Sequence, residues 1–402
     1  MKSVLHVSYS ETGGAGNVAK QLTYAQSSLR GYESRFLYSS KESVRTKPFE
    51  NVELTTRSLL DMYFVKKSDW PTLFSMYRNI QSKKIEDSIN AHDGIIHLHW
   101  LNGVLNLSNL SNYNKIGKKL IWTIHDFEPF TGGCHYAFKC ENYLESCENC
   151  PAVRDIFKTR VKQNKSLKNQ LFADLNRLML VFPSKWMLNK FRDGNPRKSS
   201  NLEFIPNPLP NKYFSKVEPV KTNSEINQPL VFGFVCRDLN VPIKQFALTL
   251  NALQKCSSLL KRELKLIAIG SKFRDIPKRL NFEVHQTGII QDFDKLRYQY
   301  SQMDVLISNS IAESFGLTIA EAAACGVPSL VLEGSGSSEL VIHNQTGILY
   351  HDQNDLIKQI LNLAEAESFR LQLASNAKRH AFNEWHIDSV VKSYDALYDS
   401  LV

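Results

Sequence analysis

The chain has 402 residues, 43% hydrophobic and 22% charged, a make-up that excludes a disordered, collagen-like or coiled-coil protein. At roughly 100–200 residues per domain, the length fits two or three domains with sizeable cores. The net charge of +9 is held unevenly: residues 1–216 carry 31 Lys+Arg against 19 Asp+Glu, and residues 217–402 carry 18 against 21, so an acidic partner is expected on the first half.

The start, Met1-Lys2-Ser3-Val4-Leu5-His6-Val7, leads directly into a strand pattern with no secretory cleavage site. No apolar run reaches the ~18–20 residues that cross a bilayer. With seven cysteines, an odd number, a cytoplasmic protein is expected, and clustered thiols read as metal ligands first. Strand-length apolar segments then alternate with helical patterns. Ser3–Tyr9, Arg35–Tyr38, Gly94–His99, Lys119–Ile124 and Leu178–Pro183 form a first α/β unit. Val231–Cys236, Leu264–Gly270, Phe282–Gln286, Val305–Ser308 and Ser329–Leu332 form a second. Buried strands separated by helices predict two parallel, doubly wound sheets. The expected domains are 1–205 and 230–385, with three prolines in Pro206-Asn207-Pro208-Leu209-Pro210 opening a linker over 206–229.

After the first strand comes Glu11-Thr12-Gly13-Gly14-Ala15-Gly16-Asn17, read as a loop before a helix that runs to about Arg30. Glycines at a helix N-terminus suit a phosphate; a tight turn is the alternative. Two stretches concentrate the basic charge: Met62 to Lys84, mixed with aromatics, and Arg154, Lys158, Lys162 and Lys165, whose three- or four-residue spacing puts several cations on one helix face, with Arg160 and Lys168 nearby. Aromatics beside cations suit an anionic membrane surface, at ~1 kcal/mol per cation; a solvated face is the alternative. Nucleic acid is not expected, because no recognition motif accompanies the charge. Between the two stretches, Cys134, Cys140, Cys147 and Cys150 fall within seventeen residues and end in a C-x-x-C pair. They read as a structural zinc site, with two disulfides or four free thiols as alternatives.

In the second unit, Asp292-Phe293-Asp294 resembles a metal-binding Asp-x-Asp, but its place at a helix start predicts capping. Glu313-Ser314-Phe315-Gly316-Leu317 is followed by Glu321, seven residues separating the two glutamates. Two carboxylates so placed can hold hydroxyl-rich groups while the first-turn N–H groups face an anion. Val391, Tyr394, Leu397, Tyr398 and Leu401 form one face of a last helix.

With Gly13–Gly16, the Glu313 and Glu321 segment, Cys325-Gly326-Val327-Pro328, Gly347 and the Tyr394–Tyr398 helix, the chain resembles retaining GT-B glycosyltransferases of family 4 type. Trp122-Thr123-Ile124-His125-Asp126 and Thr131-Gly132-Gly133-Cys134-His135-Tyr136 resemble the exopolysaccharide, colanic-acid-type branch. The resemblance implies two Rossmann-like domains facing across a cleft, with residues 386–402 packing back on the first. It implies that Glu313 holds the transferred sugar, Glu321 the ribose, and Phe315, Gly316 and Leu317 the sugar and phosphate. Gly14 and Gly16 would line the donor, Arg237 and Lys244 would neutralise the leaving diphosphate, and His125 would position the donor. The family usually has glycine after that lysine, where this chain has Gln245. Transfer is expected to retain anomeric configuration without a catalytic metal. The donor would be a UDP- or GDP-sugar and the acceptor a saccharide or lipid-linked oligosaccharide, met by a peripheral protein on the inner membrane face. Sugar phosphorolysis, nucleotide-sugar epimerisation, or a zinc-stabilised nucleotide- or lipid-binding scaffold are the competing functions.

Overall fold

The computed structural model describes residues 2–39, 74–75, 82–174, 177–195, 201–215 and 228–401. They divide into two compact units, Met1–Pro208 with Ile387–Val402, and Leu209–His386. The first contains β1 (Ser3–Ser8), α1 (Gly13–Arg30), β2 (Glu33–Tyr38), α2 (Lys83–Asn90), β3 (Ile95–Leu98), α3 (Leu107–Lys115), β4 (Lys119–Thr123), α4 (Lys158–Asp174), β5 (Leu178–Phe182), α5 (Lys185–Gly194) and β6 (Leu202–Phe204). Its parallel sheet runs β2-β1-β3-β4-β5-β6. Inner strands such as β3 are buried at every residue, because both faces are covered, whereas edge strand β2 is partly exposed throughout. Local chemistry bounds the helices. Gly31, at φ 64°, ends α1, and Asn106 with Asn109 forms a capping box on α3.

The second unit contains β7 (Leu230–Val235), α6 (Phe246–Ser257), β8 (Leu264–Ile269), β9 (Glu283–Gly288), α7 (Phe293–Ser301), β10 (Val305–Ser308), α8 (Leu317–Ala324), β11 (Ser329–Leu332), β12 (Gly347–Tyr350), α9 (Gln353–Glu365) and α10 (Glu367–Trp385). The order β12-β11-β10-β7-β8-β9 is the doubly wound dinucleotide-fold order, and it reverses direction between β7 and β10. As expected, Asp292 caps α7 by accepting from the Lys295 N–H at 2.8 Å.

Strands β6 (three residues) and β12 (four residues) were not expected. Part of the expected linker is packed structure. Leu209 and Tyr213 are buried, and the Leu209 N–H donates to the Trp385 carbonyl at 2.7 Å. The last helix, α11 (Ile387–Asp399), packs on α1 of the first unit. Asp395 there pairs with Arg30 at 2.7 Å and accepts from the Tyr32 hydroxyl at 2.8 Å, while Asp399 pairs with Lys2.

Candidate functional site

In a doubly wound sheet the loops at the reversal point part to opposite faces and leave a crevice for ligands. In the second unit one such loop follows β7 and carries Arg237 and Lys244; the other follows β10 and carries Glu313. They are stitched together: the Ile311 N–H donates to the Ile243 carbonyl at 3.1 Å and the Asn309 amide to the Gln245 carbonyl at 3.2 Å. Lys244 and Glu313 form an ion pair, each about a quarter exposed. Lys244 ends a short 3-10 turn, and Gln245 follows at φ 51°, the left-handed conformation that glycine favours. Gln245 thus keeps the local turn expected of a glycine there. Arg237 lies exposed in the same loop and makes no ion pair among the described residues.

Past Glu313, Phe315 is buried edge-to-face against Trp385 at 6.1 Å. Gly316, at φ 103°, starts α8 without a side-chain cap; its carbonyl already takes the Ile319 and Ala320 N–H groups, which leaves those of Leu317 and Thr318 for an anion. A glycine not singled out in the sequence completes the loop. Gly336 donates to the Glu313 carbonyl at 2.8 Å, and a Cβ there would lie 2.4 Å from the Ser314 oxygen.

Glu321 lies little more than one turn into α8, because the helix begins only at Leu317. Its carboxylate accepts from the Tyr300 hydroxyl at 2.7 Å and also from Tyr213. Burial nevertheless dominates and raises its pKa from 4.5 to about 6. The folded state therefore holds this proton more tightly than the unfolded chain. The contribution of Glu321 to stability is full below pH 4.5 and is lost as pH rises through about 6. A Glu321→Gln variant should accordingly gain stability relative to wild type between pH 4.5 and 7, read as a shift in urea midpoint. An unchanged difference across that window would show that the carboxyl is not perturbed.

In the first unit, Gly13, Gly14, Ala15 and Gly16 form the first turn of α1 rather than a loop. The close packing of this turn explains Gly16, whose Cβ would sit 2.3 Å from the Ser10 carbonyl oxygen, and Gly13 has a φ of 81°. Thr12 gives no side-chain cap, so this helix start is also free for an anion.

His125 follows β4 and stacks on His99, with His125 Nε2 3.1 Å from His99 Nδ1. Behind it lies a group the sequence reading did not assemble. His97 of β3 and His99, just past its end, face the same side as His6 of β1, the register neighbour of His97. His6 bonds to Gln26 of α1 at 2.8 Å, and His97 bonds to Tyr398 of α11 and to Thr123, each at 2.8 Å. Burial keeps these imidazoles neutral at pH 7; those of His6 and His125 fall to about 4. The donor atoms of His6, His97 and His99 lie within 4.8 Å of one another, close enough to share an ion. Every ring nitrogen already has a hydrogen-bond partner, however, so an ion would have to displace those bonds. The legible signal was the His-Leu-His alternation in a strand.

Asp126 serves a turn, accepting from the Glu128 N–H at 2.9 Å, and also bonds His135 Nδ1 at 2.7 Å. Burial alone would lower the pKa of His135, but Asp126 outweighs it and holds the ring above its ordinary value. His135 also meets the Ser75 hydroxyl at 2.9 Å.

The expected zinc ligands gain no support, and one other expectation changes. Cys134, Cys140, Cys147 and Cys150 lie in one region of the first unit, and burial lifts all four thiols, Cys147 to about 11. The Gly132 N–H donates to Cys147 Sγ at 3.3 Å. Yet no three of these sulfurs come within ion-sharing distance of one another. The basic face of α4 is also not what its spacing implied. Lys165 and Lys168 are buried: Lys165 donates to the Phe130 and Gly194 carbonyls at 2.9 and 2.8 Å, and Lys168 pairs with Glu128 at 2.7 Å. Lys158 and Lys162 are paired with Asp155 and Glu148. Helical spacing groups residues on a face without saying whether it points inward. Of the stretch from Met62 to Lys84, all but Phe74, Ser75 and residues 82–84 lies outside the described residues. No helix of the described residues is long and apolar enough to cross a membrane.

Comparison with known proteins places these features. Residues 229–366 match the family described as Glycosyl transferases group 1. WcaC of Escherichia coli (strain K12), named as a colanic acid biosynthesis glycosyl transferase, is 24% identical over 350 residues, covering 82% of each chain. Among solved structures, sucrose-phosphate synthase from Thermosynechococcus elongatus superposes with a TM-score of 0.65 at 15% identity, covering 100% of this chain and 99% of that one. HepE of Anabaena, in complex with UDP-glucose, gives 0.63 at 15% identity, covering 100% of both. At these identities the structural likeness speaks to the fold alone.

Proposed function

Because the chain belongs to the group 1 glycosyltransferases, with two Rossmann-like units of the GT-B fold, we propose that it moves a sugar from a UDP-sugar to a saccharide acceptor with retention, in polysaccharide assembly. The pairing of Lys244 with Glu313 beside the free start of α8 carries this reading. The two side chains neutralise each other as built. A nucleotide-sugar offers a better partner to each: diphosphate oxygens to Lys244 and sugar hydroxyls to Glu313. As the bond to the anomeric carbon breaks, negative charge grows on the diphosphate. Lys244, Arg237 and the N–H groups of Phe315, Gly316 and Leu317 are the groups available to stabilise it. Glu321, oriented by two tyrosines, keeps lone pairs for the ribose hydroxyls. Gly14 and Gly16 border the other free helix start, and His125 is assigned to positioning the sugar.

The UDP preference draws on HepE, whose structure holds UDP-glucose; the polysaccharide setting draws on WcaC. The test is nucleotide release from a panel of UDP- and GDP-sugars, with and without saccharide acceptors and with EDTA. Acceptor-dependent release of UDP that survives EDTA is expected. Phosphate-dependent release would indicate a phosphorylase, acceptor-independent interconversion an epimerase, and no turnover a scaffold.

A lipid-linked acceptor and contact with an anionic membrane belong to the same proposal, resting on the basic first half. Charge reversal at Lys162 should then lower co-sedimentation with anionic liposomes. Structural zinc on Cys134, Cys140, Cys147 and Cys150 would require their sulfurs to close in, and elemental analysis of reduced protein decides it.

A further inference from the structure

The hydrogen-bond chain that ends at His125 has a direction. It starts at Gln26, whose amide NH2 donates to the Tyr398 hydroxyl at 2.9 Å. The Gln26 Oε1 is then the acceptor, and both the Ser34 hydroxyl, at 3.0 Å, and His6 Nε2, at 2.8 Å, meet it. A neutral imidazole carries one proton. His6, donating through Nε2, therefore presents a bare Nδ1. That lone pair takes the proton of His99 Nε2 at 3.1 Å, and the bare Nδ1 of His99 takes the proton of His125 Nε2 at 3.1 Å. The side branch agrees. Tyr398, having accepted from Gln26, donates to His97 Nδ1, and His97 Nε2 donates to Thr123. Burial keeps the rings neutral, so no extra proton interrupts the order. Among the described residues, His99 is the hydrogen-bonding partner of the His125 ring, and its Nδ1 is left for a ligand.

We infer that Gln26 is a positioning residue which, through His6 and His99, sets His125 as its Nε2–H tautomer, so that His125 meets its ligand with an acceptor nitrogen, Nδ1, suited to a sugar hydroxyl. The identity of that ligand rests on the glycosyltransferase role proposed for His125; the tautomer does not. Gln26 is buried inside the first unit and acts on the ligand only through two other rings.

The experiment is long-range 15N–1H NMR of the full chain labelled at its 11 histidines, with His125→Gln used for assignment. Wild-type protein should show pyrrole-like Nε2 and pyridine-like Nδ1 at His6, His99 and His125. Gln26→Glu keeps the acceptor toward His6 and should preserve all three tautomers. Gln26→Lys offers only donors and should reverse the chain, putting the His125 proton on Nδ1. If less than a tenth of the enzyme then presents the competent nitrogen, the apparent donor KM rises about tenfold, with Gln26→Glu near wild type. An Nδ1–H or averaged His125 signal in wild type overturns the inference, as does a folded Gln26→Lys protein with His125 unchanged. Should Gln26→Lys fail to fold, the wild-type and Gln26→Glu spectra decide alone. Tautomers that switch while transfer is unaffected would uphold the relay and remove His125 from the donor site.

Discussion

Replacing Lys244 by Met should lower kcat/KM for sugar transfer about 10²–10³-fold, the scale seen when one fixed charge-stabilising donor is removed, or about 2.7–4 kcal/mol. The loss should fall mainly on kcat, because the negative charge Lys244 faces is greatest as the diphosphate leaves. The fold should survive: the pair with Glu313 is about a quarter exposed at both ends, and ion pairs of that kind contribute about 0–1 kcal/mol. Thermal unfolding separates the two effects. Activity within threefold of wild type, at an unchanged melting temperature, would take Lys244 out of the donor site.

Lys168→Met should cost stability rather than chemistry, by about 3–5 kcal/mol, the usual result of stripping one partner from a buried ion pair. Lys168 and Glu128 are 0% and 5% exposed, and their charges meet at 2.7 Å. Without the ammonium, the Glu128 carboxylate is left buried and unpaired. Removing both charges, as Lys168→Met with Glu128→Leu, should recover much of the loss, since two uncharged side chains leave nothing unpaired. Urea midpoints at unchanged m-value measure both variants. A single-variant loss below about 1 kcal/mol would mean that water reaches the site.

The parts of this molecule legible in the sequence are those whose causes are local. Val305–Ser308 and Ser329–Leu332 match their strands end to end, because a strand covered on both faces must be a short apolar run between helix patterns. The glutamate loop is equally self-contained. Glu313, Phe315 and Gly316 lie on one strand-to-helix turn and Glu321 on the helix it starts, and their spacing follows from that. Where the sequence reading erred, the missing information was nonlocal. Lys165 and Lys168 share the helical spacing of Lys158 and Lys162, and only the carbonyls of Phe130, Gly194 and Glu128 reveal which of these lysines point inward.

The sequence by itself thus determined two parallel α/β units, a last helix of buried apolar face, and the loop that carries the carboxylates, since each follows from patterns within about twenty residues. The tertiary structure alone decided three things. It paired Lys244 with Glu313 across the sheet's reversal point. It turned two lysines of a basic helix into internal props. It joined residues 6, 26, 97, 99, 125 and 398 into one hydrogen-bonded chain. Each depends on groups distant in sequence meeting in a desolvated interior, where a polar atom must find its partner. The excess charge of the first half was likewise only a sum in the sequence; burial and pairing show how much of it the fold itself consumes.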